Sequence, residues 1–151
     1  MNTVWKVLGG IGLALVIIFS GAIGKLVGKG AVDSYYSGKK EGFIDEALLK
    51  AASEINSKLP MMVDSETRLD STVGLTKSFR YNYTLINYAS SSVSASDLNS
   101  ALGQKLINNV CTNKEMQIFV KNGVTVSYAY FGNDGKQVTI ISVAPSQCGG
   151  T

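Results

Sequence analysis

Seventeen consecutive residues from Val7 to Ile23, VLGGIGLALVIIFSGAI, carry no charge. No other feature limits the chain as much. In a helix rising 1.5 Å per residue, this run with Leu26 and Val27 spans roughly the 30 Å of a bilayer's hydrocarbon. Trp5 and Lys6 precede it, and Lys25 and Lys29 follow it, as residues suited to the headgroup level do. Residues 1–30 are expected to form a transmembrane anchor that meets membrane lipid through residues 7–27. Ser20, Gly24 and Gly28 recur at every fourth position. They line one helix face, which permits close helix packing and a homo-oligomer through the anchor. The alternative is a signal peptide, with Lys6 as its basic start and Ser20-Gly21-Ala22 as its small-residue cleavage site. The length of the run, and its continuation past Lys25, favour a retained anchor.

The net charge of +3 belongs to this amino end. Lys6, Lys25 and Lys29 lie within the first 30 residues, which hold no acid; the remainder balances 11 bases against 11 acids. A neutral domain lacks the basic footprint of a nucleic-acid binder, so no nucleic acid is expected as a partner. Histidine is absent, which removes the commonest general base and most zinc chemistry. No metal or cofactor is expected. Two cysteines remain, Cys111 and Cys148. An even count in a short exported domain points to one disulfide, worth on the order of 4 kcal/mol by chain entropy; two buried thiols are the other possibility. Orientation is in conflict. Lys25, Lys29, Lys39 and Lys40 follow the span and favour a cytoplasmic domain by the positive-inside rule, whereas the cysteine pair favours an outward one. The outward, periplasmic placement is taken here.

Residues 31–42 read as a juxtamembrane connector, and residues 43–151 as one soluble α+β domain. Ile44, Leu48, Ala51, Ile55 and Leu59 repeat at helical spacing, predicting a helix over 41–58. A strand is predicted within Thr67–Val73, a turn over Gly74–Lys77 and a second, cleanly alternating strand over Ser78–Tyr88. Leu98, Leu102, Leu106 and Val110 mark a second helix over Ser96–Cys111, capped by Ser94 or Ser96. A short third helix covers Lys114–Lys121. Strands Val124–Phe131 and Gln137–Val143 then join through Asn133-Asp134-Gly135. The expected fold is an amino-terminal transmembrane helix followed by a four-stranded antiparallel sheet with helices on one face.

Candidate interaction residues come from two places. Glu66, Arg68 and Asp70 fall on one face of a predicted strand, beside Asp64. Several carboxylates can hold a hard cation, but the segment lacks the EF-hand spacing. Surface pairing of Arg68 with its acidic neighbours is preferred. Tyr88 and Phe131 lie out of phase with the main aromatic stripe, where they can reach a binding face.

The segments PMMVDSETRLDST (60–72), FRYNYTLINY (79–88) and NVCTNKEMQIFVKNGVTVSYAY (109–130) resemble a recurring type of small, uncharacterised bacterial protein. In that type an inner-membrane anchor precedes an envelope domain that ends near a cysteine. The resemblance spans residues 41–148; it implies a bacterial envelope location and transfers no reaction, ligand or site. The expected function is a non-enzymatic, single-pass inner-membrane protein with its carboxy-terminal domain in the periplasm. It would bind another envelope protein as an accessory subunit or an immunity or exclusion factor. The alternative is a cleaved, soluble periplasmic or secreted domain that binds a ligand or peptide.

Overall fold

The structure, a computed structural model, describes residues 40–149. The anchor expected over 1–30, with Trp5, Lys6, Ser20, Gly24, Lys25 and Gly28 to Lys29, lies outside the described residues. None of the described helices is long and apolar enough to cross a membrane.

Helix α1 (Lys40–Asn56) begins inside the expected connector. It leads to β1 (Met61–Met62), β2 (Thr67–Leu75) and β3 (Ser78–Leu85). A single 3-10 turn at Ser90–Ser92 precedes α2 (Ala95–Thr112) and the short α3 (Gln117–Lys121). Strands β4 (Thr125–Gly132) and β5 (Gln137–Val143) follow, and a 3-10 turn at Pro145–Cys148 ends the described chain. The α+β class stands, with two corrections to the sheet.

First, the sheet has five strands in the order β1-β2-β3-β4-β5, not four. Two-residue β1 was missed because no alternation can be read from two methionines. Second, the sheet is mixed. β3 and β4 pair in parallel, from Ser78 opposite Thr125 to Leu85 opposite Gly132, while the other pairs are antiparallel. Two adjacent strands joined by a long helical excursion end up parallel, since the chain returns to the starting edge before it re-enters. α2 and α3 are that excursion. β3 also stops at Leu85, short of the predicted Tyr88.

Local chemistry explains several of the element ends. Ser94 caps α2, its hydroxyl accepting the Asp97 N–H at 3.3 Å. The Asn113 side chain accepts the Glu115 N–H at 2.9 Å as the chain turns toward α3. Asp134 in the β4–β5 turn accepts from the Ser90 N–H at 3.1 Å and the Ser90 hydroxyl at 2.8 Å. Those bonds hold the Asp134 carboxyl below its usual range, the Ser90 side chain being the main cause. Gly132 makes this approach possible: a Cβ there would lie 2.2 Å from the Ser90 nitrogen.

The core lies between the helices and one face of the sheet. α1 contributes Leu48, Ala51, Ala52 and Ile55; α2 contributes Leu98, Leu102, Leu106 and Val110; Met116 and Phe119 come from the α3 region. Gly74 lets α1 settle directly onto β2, because a Cβ there would sit 2.3 Å from the Leu48 carbonyl oxygen. Parallel register sets Tyr81 beside Tyr128 and Tyr83 beside Tyr130. Their rings stack with centroids 5.5 and 5.4 Å apart. All four of these tyrosines are buried. Cys111 at the end of α2 is bonded to Cys148 in the final turn, with 5.0 Å between Cα atoms. The expected disulfide therefore staples the tail to the crossover.

Beyond its short pairing with β1, the outer edge of β2 is sealed by a side chain. Asn56, the last residue of α1, donates from Nδ2 to the Thr72 carbonyl at 2.8 Å. Its Oδ1 accepts the Thr72 N–H at 2.7 Å. The carboxamide thus satisfies both backbone groups of Thr72, as a neighbouring strand would.

Replacing Asn56 by Ala is expected to lower stability by about 1–3 kcal/mol, since it strands two backbone groups. Urea unfolding followed by circular dichroism measures this; an unchanged midpoint would refute the role of the carboxamide. The buried tyrosines generate a second expectation. Desolvation raises Tyr81, Tyr83 and Tyr128 well above the ordinary phenol value and raises Tyr130 as well. The unfolded chain releases these protons near about pH 10, while the folded chain keeps them. Stability from this source is complete below that pH and falls as the pH rises, because the unfolded state then binds fewer protons. An alkaline titration of phenolate absorbance should show these four rings ionising together with loss of the circular dichroism signal. Ionisation of every tyrosine near pH 10 in an intact fold contradicts this account.

Candidate functional site: the open face of the sheet

Cross-strand pairing decides which side chains share a face. On the face turned away from the core, three rows cross the strands. Met62, Arg68, Thr84 and Phe131 make the first row. Ser71, Asn82, Ala129 and Ile140 make the second. Val73, Arg80, Ser127 and Ser142 make the third. The buried side chains of α1, α2 and α3 all join the core on the other side. Met62 is 46 % and Ile140 39 % exposed, so two apolar groups stand in solvent at opposite ends of this surface.

The polar groups of the first row are tied together. Arg68 pairs with Asp70 through Nε, and the Thr84 hydroxyl donates to the other oxygen of the same carboxylate. The hydrogen bond and charge of Asp70 push the Arg68 guanidinium above its usual value. A bulge between Leu69 and Ser71 makes Ser71, rather than Asp70, the residue opposite Asn82. Asp70 is thereby left to serve the first row. In the second row Asn82 donates to the Ser71 hydroxyl at 3.0 Å. In the third, the Ser127 and Ser142 hydroxyls lie 2.9 Å apart. Arg80 Nε and Asn82 Oδ1 are shielded from water and have no hydrogen-bond partner. Such groups represent unused bonding capacity.

The acidic segment before β2 resolves into separate duties. Asp64 Oδ1 accepts the N–H groups of Glu66 at 2.8 Å and Thr67 at 2.7 Å, which makes it the cap of the turn entering β2. Glu66 accepts the Tyr88 hydroxyl at 3.0 Å. Desolvation, with the Glu66 bond second, raises the Tyr88 phenol above its ordinary value. Among the described residues no three acidic or cysteine side chains gather as a metal site.

The structure thus sets Arg68, Asp70 and Phe131 on one surface, and it places the Glu66–Tyr88 pair at the start of β2 and just beyond β3. The reading by sequence missed Met62, Arg80, Asn82 and Ile140 as members of that surface. Strand alternation already put Arg80 and Asn82 on the polar side of β3. What it lacked was the order and direction of the neighbouring strands.

No curated protein matches this chain in sequence. Solved structures show the same fold in bacterial proteins. A Pseudomonas aeruginosa protein provisionally described as secreted superposes with a TM-score of 0.60 at 16% identity, over 74% of this chain and 98% of its own. The Vibrio vulnificus type II secretion system pilotin EpsS gives 0.59 at 10% identity, covering 74% of this chain and 97% of the pilotin. The Vibrio cholerae type II secretion system pilotin AspS gives 0.54 at 12%, covering 72% and 95%. At such identities the likeness is one of fold. In sequence, residues 43–140 match a domain of unknown function, and the chain belongs to that family, DUF8479.

Proposed function

We propose that this chain is a non-enzymatic protein-binding module of the bacterial envelope, and that the open face of the sheet is its binding surface. One observation carries the proposal: the row Met62, Arg68, Thr84 and Phe131 combines arginine, methionine and an aromatic ring, none of them buried, on the sheet face opposite the core. Arginine, methionine and aromatic residues are enriched in interfaces and supply most of their energetic anchors. A non-catalytic role agrees with the chain's chemistry. It has no histidine, and both of its cysteines are consumed in a disulfide.

The fold shared with two type II secretion pilotins favours an accessory role beside an envelope assembly over an immunity or exclusion role. Residues 1–30 would tether the domain to the inner membrane, with residues 43–151 in the periplasm. Tethering raises the local concentration near a membrane partner, so that a modest interface suffices. The disulfide supports the periplasmic side, where such bonds persist. A second reading keeps the binding face and replaces the anchor by a cleaved signal peptide. The small residues Ser20-Gly21-Ala22 and the likeness to a protein described as secreted favour it.

A photo-crosslinking residue at Phe131 in intact cells should yield an adduct with an envelope protein identifiable by mass spectrometry. Arg68→Glu should weaken that adduct by about 5- to 30-fold, the effect of losing 1–2 kcal/mol at an anchor. Leu49→Ala, at an exposed position on α1, should leave it unchanged. Lack of an adduct, or equal adducts from all three proteins, removes the open face from consideration. Intact mass decides the tether: full length is expected from membranes, and a loss of about 22–24 residues would select the cleaved form.

A further inference from the structure

A glycine that follows asparagine or aspartate leaves its backbone nitrogen unshielded by any side chain. That nitrogen can attack the carbonyl carbon of the preceding side chain and close a succinimide ring. The chain has two such pairs, Asn122-Gly123 and Asp134-Gly135. Both glycines lie at positive φ, +70° and +73°. At neither would a Cβ meet any atom within 4 Å beyond the chain neighbours, so neither nitrogen is crowded.

The two pairs are protected in different ways. Asn122 is held by its own helix end. Its Nδ2 donates to the Ile118 carbonyl at 2.7 Å, and the Gly123 N–H donates to the Val120 carbonyl at 3.2 Å. Asp134 stands exposed at the tip of the β4–β5 turn, and its holder is 44 positions away. Oδ2 accepts the Ser90 hydroxyl at 2.8 Å, and Oδ1 accepts the Ser90 N–H at 3.1 Å and the Lys136 N–H at 3.4 Å. The attacking nitrogen is engaged as well, for the Gly135 N–H donates to the Gly132 carbonyl at 3.0 Å. The Ser90 side chain is the main cause of the lowered Asp134 pKa. It therefore keeps scarce the carboxylic acid, the form that can lose water.

We infer that Asp134 is an isoaspartate-forming site and that the hydroxyl of Ser90 guards it. When the turn at 90–92 lifts away, the Gly135 nitrogen bonds to Asp134 Cγ. The Cγ–O bond breaks, and the oxygen leaves as water with the amide proton and the carboxyl proton. Water then adds to either carbonyl of the succinimide. Addition at Cγ restores aspartate; addition at the backbone carbonyl leaves the main chain running through Cγ, which is isoaspartate. No oxidant, enzyme or cofactor is needed. The product has one more methylene group in its backbone, at a turn fitted closely to its neighbour. Gly132 packs there against the Ser90 nitrogen, and the Asn133 N–H reaches the Tyr88 carbonyl at 2.8 Å. A transient opening of the segment that leads into the Ser94 cap of α2 is thus converted into a lasting covalent change.

The test follows the full-length chain through days in neutral buffer at body temperature. Peptide mapping separates isoaspartyl from aspartyl forms at 134, and the same map records deamidation at Asn122. Ser90→Ala should raise isoaspartate at 134 about tenfold, the effect of losing one hydrogen bond to a charged group, with Asn122 unchanged. Ser92→Ala should match the unaltered chain, because the Ser92 hydroxyl donates to the Ala89 carbonyl at 2.7 Å instead. An unchanged rate in Ser90→Ala overturns the inference. A parallel rise at Asn122 does so too, since it marks general loosening. An equal rise in Ser92→Ala also overturns it, because protection then comes from the loop and not from the Ser90 hydroxyl.

Discussion

Because β4 runs beside β3 in the same direction, the chain between them must travel the length of the sheet and come back. Much of the molecule follows from that requirement. The return path is α2 and α3, so a helical layer must lie on one side. In parallel register Tyr81 falls beside Tyr128 and Tyr83 beside Tyr130, which builds two ring stacks into the centre of the core. The far end of α2 is carried to where Cys148 can reach Cys111. And β5, added by a tight hairpin to β4, becomes the outer strand of the described sheet.

The same arrangement separates the two faces by chemistry. The covered side holds tyrosine rings, leucines and valines with little exposed surface. The other side carries small hydroxyl residues, two arginines and a few apolar groups in cross-strand rows. Arg68, Asp70 and Thr84 hold one another in place there, which fixes a charged group beside Phe131 rather than leaving it to wander in solvent. In the proposed binding role, such ordering would lower the entropy lost on association. At 10% and 12% identity the likeness to the two pilotins is one of architecture.

Much of this was legible in the residues. Helical spacing located α1 and α2 to within a few positions, Asn133-Asp134-Gly135 marked the last turn, and the even cysteine count anticipated the bond between Cys111 and Cys148. Alternation in 78–85 separated Phe79, Tyr81 and Tyr83 from Arg80, Asn82 and Thr84. Strand direction was not legible, because a period of two reports faces and says nothing about which way a neighbour runs. The first strand escaped notice because Met61 and Met62 are too few to show a period. The role of Asn56 was equally hidden: its carboxamide acts on Thr72, sixteen positions away, and only the packing of α1 on Gly74 brings them together. For the candidate surface, Arg68, Asp70 and Phe131 were picked out individually. Their membership of one face needed the strand order, and so did that of Met62 and Ile140.

The bond between Cys111 and Cys148 also gives the chain a covalent loop that contains α3, β4 and β5. A protease that cut the exposed turn around Asn133 to Gly135 would open the loop without producing a separate piece. Both halves would remain joined through sulfur, with the central strand and the outer strand still held to the crossover helix. In a compartment rich in proteases, a nick at this tip would leave the molecule whole until a reductant arrived.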